Sequence, residues 1–353
     1  MPIIVLNVIK IFFIGFIAFV FSLALTPFLT NFLYKYKFWR KEVRTKSIDG
    51  KDVPIFQKFH SHKEISVPRG GGFLVWFTVM FLAFFFFFLS KISDNFFIQK
   101  LNFLSRSQTW LPLFSLISAS LVGLLDDVFQ IFQKGGYVAG GLKLKYRLFL
   151  VALIGLIGGW WFYYKLGFEY IHVPGNGDFF IGWLYIPLFL IVMLAIYSGG
   201  VIDGLDGLAG GIFASIFAAF TGISLFQGQI DLAAFCMAIT GSILAFLWFN
   251  IPPARFYMGE TGIIGLCCAL TVVAFLTNSI LVLPIIAFLL FVESASVILQ
   301  LLSKKFFKRK IFLAAPIHHH FEAKGWPHYK ITMRFWVIGV IMAILGLTIR
   351  LLG

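Results

Sequence analysis

Five of the 15 carboxylates in this 353-residue chain stand in short runs whose spacing could do chemistry. Asp126 and Asp127 are adjacent, in Leu124-Leu125-Asp126-Asp127-Val128. Neighbours on a helix point about 100° apart, so the two acids cannot share one role. One can face a metal or a nucleophile while the other is solvated or orients a neighbour. Acids closing a helix also oppose its dipole, so another element must hold them there. Asp203 and Asp206 lie three apart in Asp203-Gly204-Leu205-Asp206-Gly207. In a helical stretch they would share a face, and the glycines would let a diphosphate approach the backbone. The amides that open the next segment would favour an anion. An ordinary Asp-Gly turn needs one such pair, not two in tandem. Glu260, in Tyr257-Met258-Gly259-Glu260-Thr261-Gly262, directly precedes an apolar segment. Its plain structural use is a first-turn acid that complements a helix dipole.

Histidines and glycines extend the set. His318, His319 and His320 are consecutive. On a helix they fan out, whereas helical metal-binding pairs are spaced by four. Contact with phosphate or sugar is their functional reading, and an interfacial polar turn the structural one. Gly70-Gly71-Gly72 follows Pro68-Arg69; it reads either as helix-start punctuation or as a close-approach surface for phosphate beside Arg69. Glu293 falls inside an apolar segment and needs a partner. The three cysteines, Cys236, Cys267 and Cys268, have no metal or redox spacing.

The elements that must position these residues are apolar blocks. The chain is 60% hydrophobic and 12% charged, against about 25% charged in soluble domains. Segments near 8–30, 71–90, 109–125, 146–164, 179–202, 208–226, 232–249, 262–278, 280–302 and 333–352 each suit a membrane helix, which needs about 20 apolar residues. Thr277, Asn278 and Ser279 supply the break within 262–302. The first block has its basic cluster after it, the reverse of a cleaved signal, and reads as a permanent helix. The fold class is therefore an all-α integral membrane protein: a single polytopic domain with ten transmembrane helices.

The loops 31–70, 126–147, 250–261 and 303–334 hold 23 of the 29 Lys and Arg. Basic loops stay in the cytoplasm, so both termini are extracytoplasmic. All five acids and the histidines then fall at cytoplasmic helix ends or just beyond, around a cytoplasmic active-site cleft. Intramembrane acids are costly and usually functional. The net charge of +14 hugs these helix ends, which suits anionic membrane lipids and polyanionic substrates and argues for no nucleic acid partner. A transporter would place its ionisable groups near the midplane, often within a repeat; no repeat is present and the acids favour one face.

These runs, in this order, resemble the polyprenyl-phosphate N-acetylhexosamine-1-phosphate transferase superfamily (glycosyltransferase 4 type). The stretch Ala315-Pro316-Ile317-His318-His319-His320-Phe321-Glu322, with Gly325-Trp326, resembles its phospho-N-acetylmuramoyl-pentapeptide transferase branch in particular. The segments 246–250 and 291–300 are similar to the same family. The resemblance runs from about residue 31 to the C-terminus. It implies a bacterial inner-membrane enzyme of peptidoglycan synthesis. Such an enzyme joins UDP-MurNAc-pentapeptide to undecaprenyl phosphate and releases UMP, with Mg2+. Homodimer formation is left open.

Under that resemblance Glu260 and Asp203 are the metal-side ligands. Asp126 or Asp127 orients or deprotonates the lipid phosphate, and a covalent aspartyl-phosphate route is the chemical alternative. Asp206 and Asn250 contact the nucleoside side. His318, His319 and His320, with Arg69, Lys143, Lys145 and Arg147, hold phosphates and sugar. Three positions depart from the family pattern. Glu260 stands for an aspartate. Gly200 stands for an asparagine and would leave room that the longer Glu260 could fill. Val67-Pro68-Arg69-Gly70 is closer to the branch that uses UDP-GlcNAc, the alternative donor.

Overall fold

The computed structural model describes residues 2–43, 65–133 and 141–353; parts of the basic loops 31–70 and 126–147 lie outside them. Among the described residues, nine helices are long and apolar enough to cross a membrane. They are α1 (Ile3–Lys35), α2 (Phe73–Ile92), α4 (Trp110–Phe132), α5 (Leu144–Trp160, extended by a wider turn to Lys165), α6 (Tyr185–Ser198), α7 (Leu208–Phe226), α8 (Ile230–Asn250), α9 (Gly259–Leu276) and α13 (His328–Leu352). Short helices α3 (Phe96–Leu101), α10 (Leu283–Ile286) and α12 (Ile317–Ala323) connect them.

The remaining long helix, α11 (Phe288–Phe306), differs from the single ninth span expected over 280–302. The chain breaks at Ala287, and α11 buries Glu293, Ser294, Ser296, Gln300 and Ser303 while ending on Lys304 and Lys305. Its polar face makes it less apolar than the other nine. The expected break after 276 is present: α9 stops at Leu276, and Asn278 turns the chain with a φ of 46°. Among the described residues the one exception to helix in regular structure is a two-stranded hairpin, β1 (Tyr170–Val173) and β2 (Gly177–Phe180), at the start of the expected 179–202 span. That span begins instead at Gly182.

Helix α9 is almost wholly buried and forms the centre of the bundle. Lipid offers no hydrophobic drive between helices, so close packing of small residues takes over. A side chain at Gly241 of α8 would strike the Gly15 carbonyl of α1. Ser22 and Thr78 then share a hydrogen bond of 2.8 Å between α1 and α2. At the end of the bundle remote from the acids, Lys10 is only 7% exposed and reaches Asp231 at 2.6 Å and the Asn102 carbonyl at 2.7 Å. This half-buried pair ties α1 to α8, and the Asn102 contact ties α1 to the connection after α3.

Candidate active site

The site forms where α4 meets the first turn of α9. Gly123 faces that turn, and a Cβ there would run into the Glu260 carbonyl and the Thr261 nitrogen. Asp127 lies four residues later, on the same face of α4. Its Oδ1 accepts from the Glu260 N–H at 3.1 Å, and its Oδ2 from Thr261 N–H at 3.0 Å. First-turn amides have no partner within their own helix, so Asp127 caps α9 from another helix. That contact is what holds an acid near the wrong end of α4. Helix α4 also continues to Phe132, beyond the loop boundary expected at 126.

Asp126 points elsewhere, as the helical geometry requires. Its Oδ1 accepts from Leu142 N–H and its Oδ2 from Gln130 Nε2, both at 2.6 Å. Gln130 in turn accepts from Arg40 through Oε1. Arg147 Nη1 lies 3.5 Å from Asp126 Oδ2 and 2.5 Å from Glu260 Oε1. Both aspartates are fully buried, whereas the Glu260 side chain is 25% exposed. Of the basic residues expected to hold phosphate, Arg147 enters this cluster. Lys143 and Lys145 are exposed, and Lys145 lies over the Tyr146 ring.

The loop at 203–207 follows a tight turn over Gly199–Ile202 and packs beside the same corner. Asp203 Oδ2 accepts from Gly259 N–H at 3.3 Å. Burial pushes the Asp203 carboxyl up to about 6, against the pull of Arg69, with the Glu260 charge adding to the rise. Arg69 thus acts electrostatically on the site. Two of the neighbouring glycines direct their amides to backbone carbonyls. Gly71 and Gly72 N–H donate to the Tyr257 and Met258 carbonyls, both at 2.8 Å. Gly72 also packs on Gly262 where a side chain would not fit. Gly71 and Gly72 thus form a backbone seam at the start of α2.

Asp206 and Asn250 are buried and serve the loop. Asn250 accepts from Gly207 N–H at 3.0 Å and donates to the Phe256 carbonyl at 2.8 Å. Asp206 accepts from Ala254 N–H at 3.3 Å. The space beside Gly200 is filled rather than open. A Cβ there would lie 2.5 Å from Ile263 Cγ2, and Ile263 is one turn after Glu260 on α9. Room for the longer Glu260, expected from Gly200, is therefore taken by isoleucine.

The three histidines of α12 have three different settings. His318 is fully buried, with Nδ1 3.0 Å from Glu293 Oε2 on α11. His319 Nδ1 pairs with Glu322, whose Oε1 is 2.8 Å from His328 Nε2. His320 Nδ1 accepts from Leu313 N–H at 3.1 Å, which leaves the proton of a neutral ring on Nε2. Partial burial and the nearby Lys324 lower its pKa. Gln130, Arg40, Glu322 and His328 were not singled out from the sequence. Gln130 and Glu322 each stand one helical turn from a candidate, as Asp126–Gln130 and His318–Glu322, and Glu322 enters the sequence reading only as part of the histidine stretch; Arg40 and His328 carry no such spacing.

Asp203 and Glu260 are hard oxygen donors that flank Gly259. Among the described residues no three His, Cys, Asp or Glu group as a complete metal cage. Two carboxylates fit magnesium, which keeps several waters and completes its shell with substrate phosphates. The donor set is thus compatible with that ion and poorly matched to zinc, which takes nitrogen and sulfur ligands.

The model of glycosyl transferase family 4 matches residues 109–278, which include α4, the 203–207 loop and α9. A phospho-N-acetylmuramoyl-pentapeptide-transferase of Geobacillus thermodenitrificans is 32% identical over 95% of this chain and 96% of its own length. One of Levilactobacillus brevis is 38% identical over 69% and 75%. One of Bacillus thuringiensis is 32% identical over 94% and 95%. With the acids, the histidine box and the membrane helices in place, the chain belongs to the phospho-N-acetylmuramoyl-pentapeptide-transferase family.

Proposed function

We propose that this protein transfers phospho-MurNAc-pentapeptide from UDP-MurNAc-pentapeptide to undecaprenyl phosphate. UMP leaves, and the product is the first lipid intermediate of peptidoglycan synthesis. The observation that carries the reading is the convergence of Asp126, Asp127, Asp203 and Glu260 at one corner of a membrane bundle, in a chain of this family. An oxygen of the lipid phosphate attacks the β-phosphorus of the donor. The bond from that phosphorus to the UMP oxygen breaks, and UMP carries away the electron pair. One phosphoanhydride is exchanged for another, so no ATP is consumed.

The residues divide the work. Glu260 and Asp203 would hold Mg2+, which when bound supplies positive charge to the diphosphate and the departing UMP. Asp127 sets Glu260 by capping its helix. Asp126 fixes Arg147, whose guanidinium offsets the Glu260 charge and provides a donor toward phosphate. The oxygens of Asp126 and Asp127 all accept hydrogen bonds, which supports orienting roles; a covalent route would need one to leave its donor. Asp206 and Asn250 shape the nucleoside side through the loop they brace. His319, His320 and Arg69 are the groups for sugar and phosphate, while the exposed Lys143 and Lys145 suit longer-range attraction.

The membrane arrangement belongs to the same proposal. We take α11 as a tenth crossing with its polar face turned inward. Both termini are then extracytoplasmic and the site opens to the cytoplasm of a bacterial inner membrane. Lys305 and Arg309, each over a neighbouring exposed Phe ring, suit anionic headgroups at that surface. The test uses purified protein with undecaprenyl phosphate and Mg2+. It should release UMP from UDP-MurNAc-pentapeptide, form a lipid of the matching mass, and lose activity to a chelator. Preferential turnover of UDP-GlcNAc would move the protein to the other donor.

A further inference from the structure

Glu293 and His318 form a carboxylate–imidazole pair with 0% exposure on both sides. A buried carboxylate costs several kcal/mol unless it is paired. Here the pairing is incomplete: among the described residues, neither Glu293 Oε1 nor His318 Nε2, both buried, has a hydrogen-bond partner. The far side of the imidazole sits against Gly204, where any side chain would collide with Nε2. Gly204 lies between Asp203 and Leu205, so the ring props the loop that carries Asp203 and Asp206. A buried N–H without an acceptor is a rarer and costlier orphan than a bare acceptor. The ring proton therefore belongs on Nδ1, facing Glu293, with Nε2 left bare beneath the loop.

We propose that Glu293 is a positioning residue: by accepting the Nδ1 proton of His318 it fixes the imidazole under Gly204 and thereby places the 203–207 loop. The inference rests on the activity proposed above. It separates His318 from His319 and His320, since His318 faces protein on every side and acts through the loop. Glu293 touches no reacting atom, and its influence reaches Asp203 through the ring and the Gly204 backbone. A carboxylate inside a membrane helix thus has a use that leaves it dry.

The test combines a spectroscopic and a kinetic readout on the full-length protein in detergent. Imidazole 15N NMR, with His318 assigned by His318→Asn, should show the wild-type proton bonded to Nδ1. Glu293→Gln keeps an acceptor and should retain that signal; Glu293→Leu removes it and should mix the tautomers. In UMP release, Glu293→Leu should lower kcat at least tenfold with the donor KM within threefold of wild type. Glu293→Gln should fall between. Thermal melts report whether each variant is folded, and a Leu variant that does not fold leaves the wild-type spectrum and the Gln variant to decide. A bare Nδ1 in the wild type overturns the proposal. So does a folded Glu293→Leu with wild-type kcat, or one whose loss lies in KM alone. The spectrum needs no substrate, so a wild type inactive toward the donor would sink the activity reading separately.

Discussion

Glu260 is longer than an aspartate by one methylene, about 1.5 Å of reach, and its carboxylate ends at Arg147. Glu260→Gln keeps the size and removes the charge. The expected result is a loss of roughly a hundredfold or more in magnesium-dependent UMP release, about 2.7 kcal/mol; full activity would show that Glu260 holds no metal. Glu260→Asp should also be impaired, because the shorter acid falls short. Adding Gly200→Asn should not restore it, because the asparagine must displace Ile263. Ile263→Ala added to that pair should recover part of the activity, a non-additivity expected of residues in contact. Recovery in the double variant with Ile263 intact would show that the space is open after all.

Asp203 gives the residue scale its pH dependence. Burial raises its carboxyl to about 6 from an ordinary 3.8, so the folded chain favours the neutral acid. Its contribution to stability is full below 3.8 and is lost as pH rises through about 6. Metal binding needs the anion and runs the other way. At subsaturating magnesium, UMP release should fall by roughly tenfold per unit below pH 6. Raised magnesium should shift that limb to lower pH, and a limb indifferent to magnesium would detach Asp203 from the metal.

At the scale of elements, the decisive contact is α4 on α9. Gly123 permits it and Asp127 satisfies the amides it brings near. Gly123→Ala would press a methyl into helix backbone that cannot turn aside. A loss of about 1–3 kcal/mol is expected from overpacking, read as a lower thermal midpoint with lower activity. In Asp127→Asn one amide oxygen can still accept, but the NH2 group faces the second N–H. Stability should fall by roughly 1–2 kcal/mol, with activity falling further as Glu260 loses its anchor. Unchanged melting in Asp127→Asn would mean that α9 does not depend on this cap.

For the whole molecule the question is which way the bundle faces. The native cysteines are buried, so an introduced thiol can be read against a quiet background. Asn176, in the hairpin turn, and Lys324, after the histidine helix, are both exposed. Asn176→Cys should react with an impermeant thiol reagent in intact cells, and Lys324→Cys only after permeabilisation. Labelling of Lys324→Cys from outside would reverse the orientation and the cytoplasmic placement of the site.

The sequence by itself determined the membrane class, the helix blocks, the divergence of Asp126 and Asp127 and the residues that gather at one end. Each of these follows from local physics: apolar runs long enough to cross lipid, 100° between helical neighbours, and the cost of a charge in hydrocarbon. Tertiary structure alone decided what each polar group meets. Asp127 as a cap on α9, Asn250 as a brace for Gly207, the glycine triplet as a backbone seam, Ile263 in the space beside Gly200 and Glu293 beneath His318 are all long-range pairings. Their partners lie tens to more than a hundred residues away, and hydropathy along the chain says nothing about which helix faces which. In a bundle where nearly every segment is apolar, hydrophobicity cannot sort the contacts. Small residues that let backbones approach, and polar atoms that must find a partner there, do the sorting.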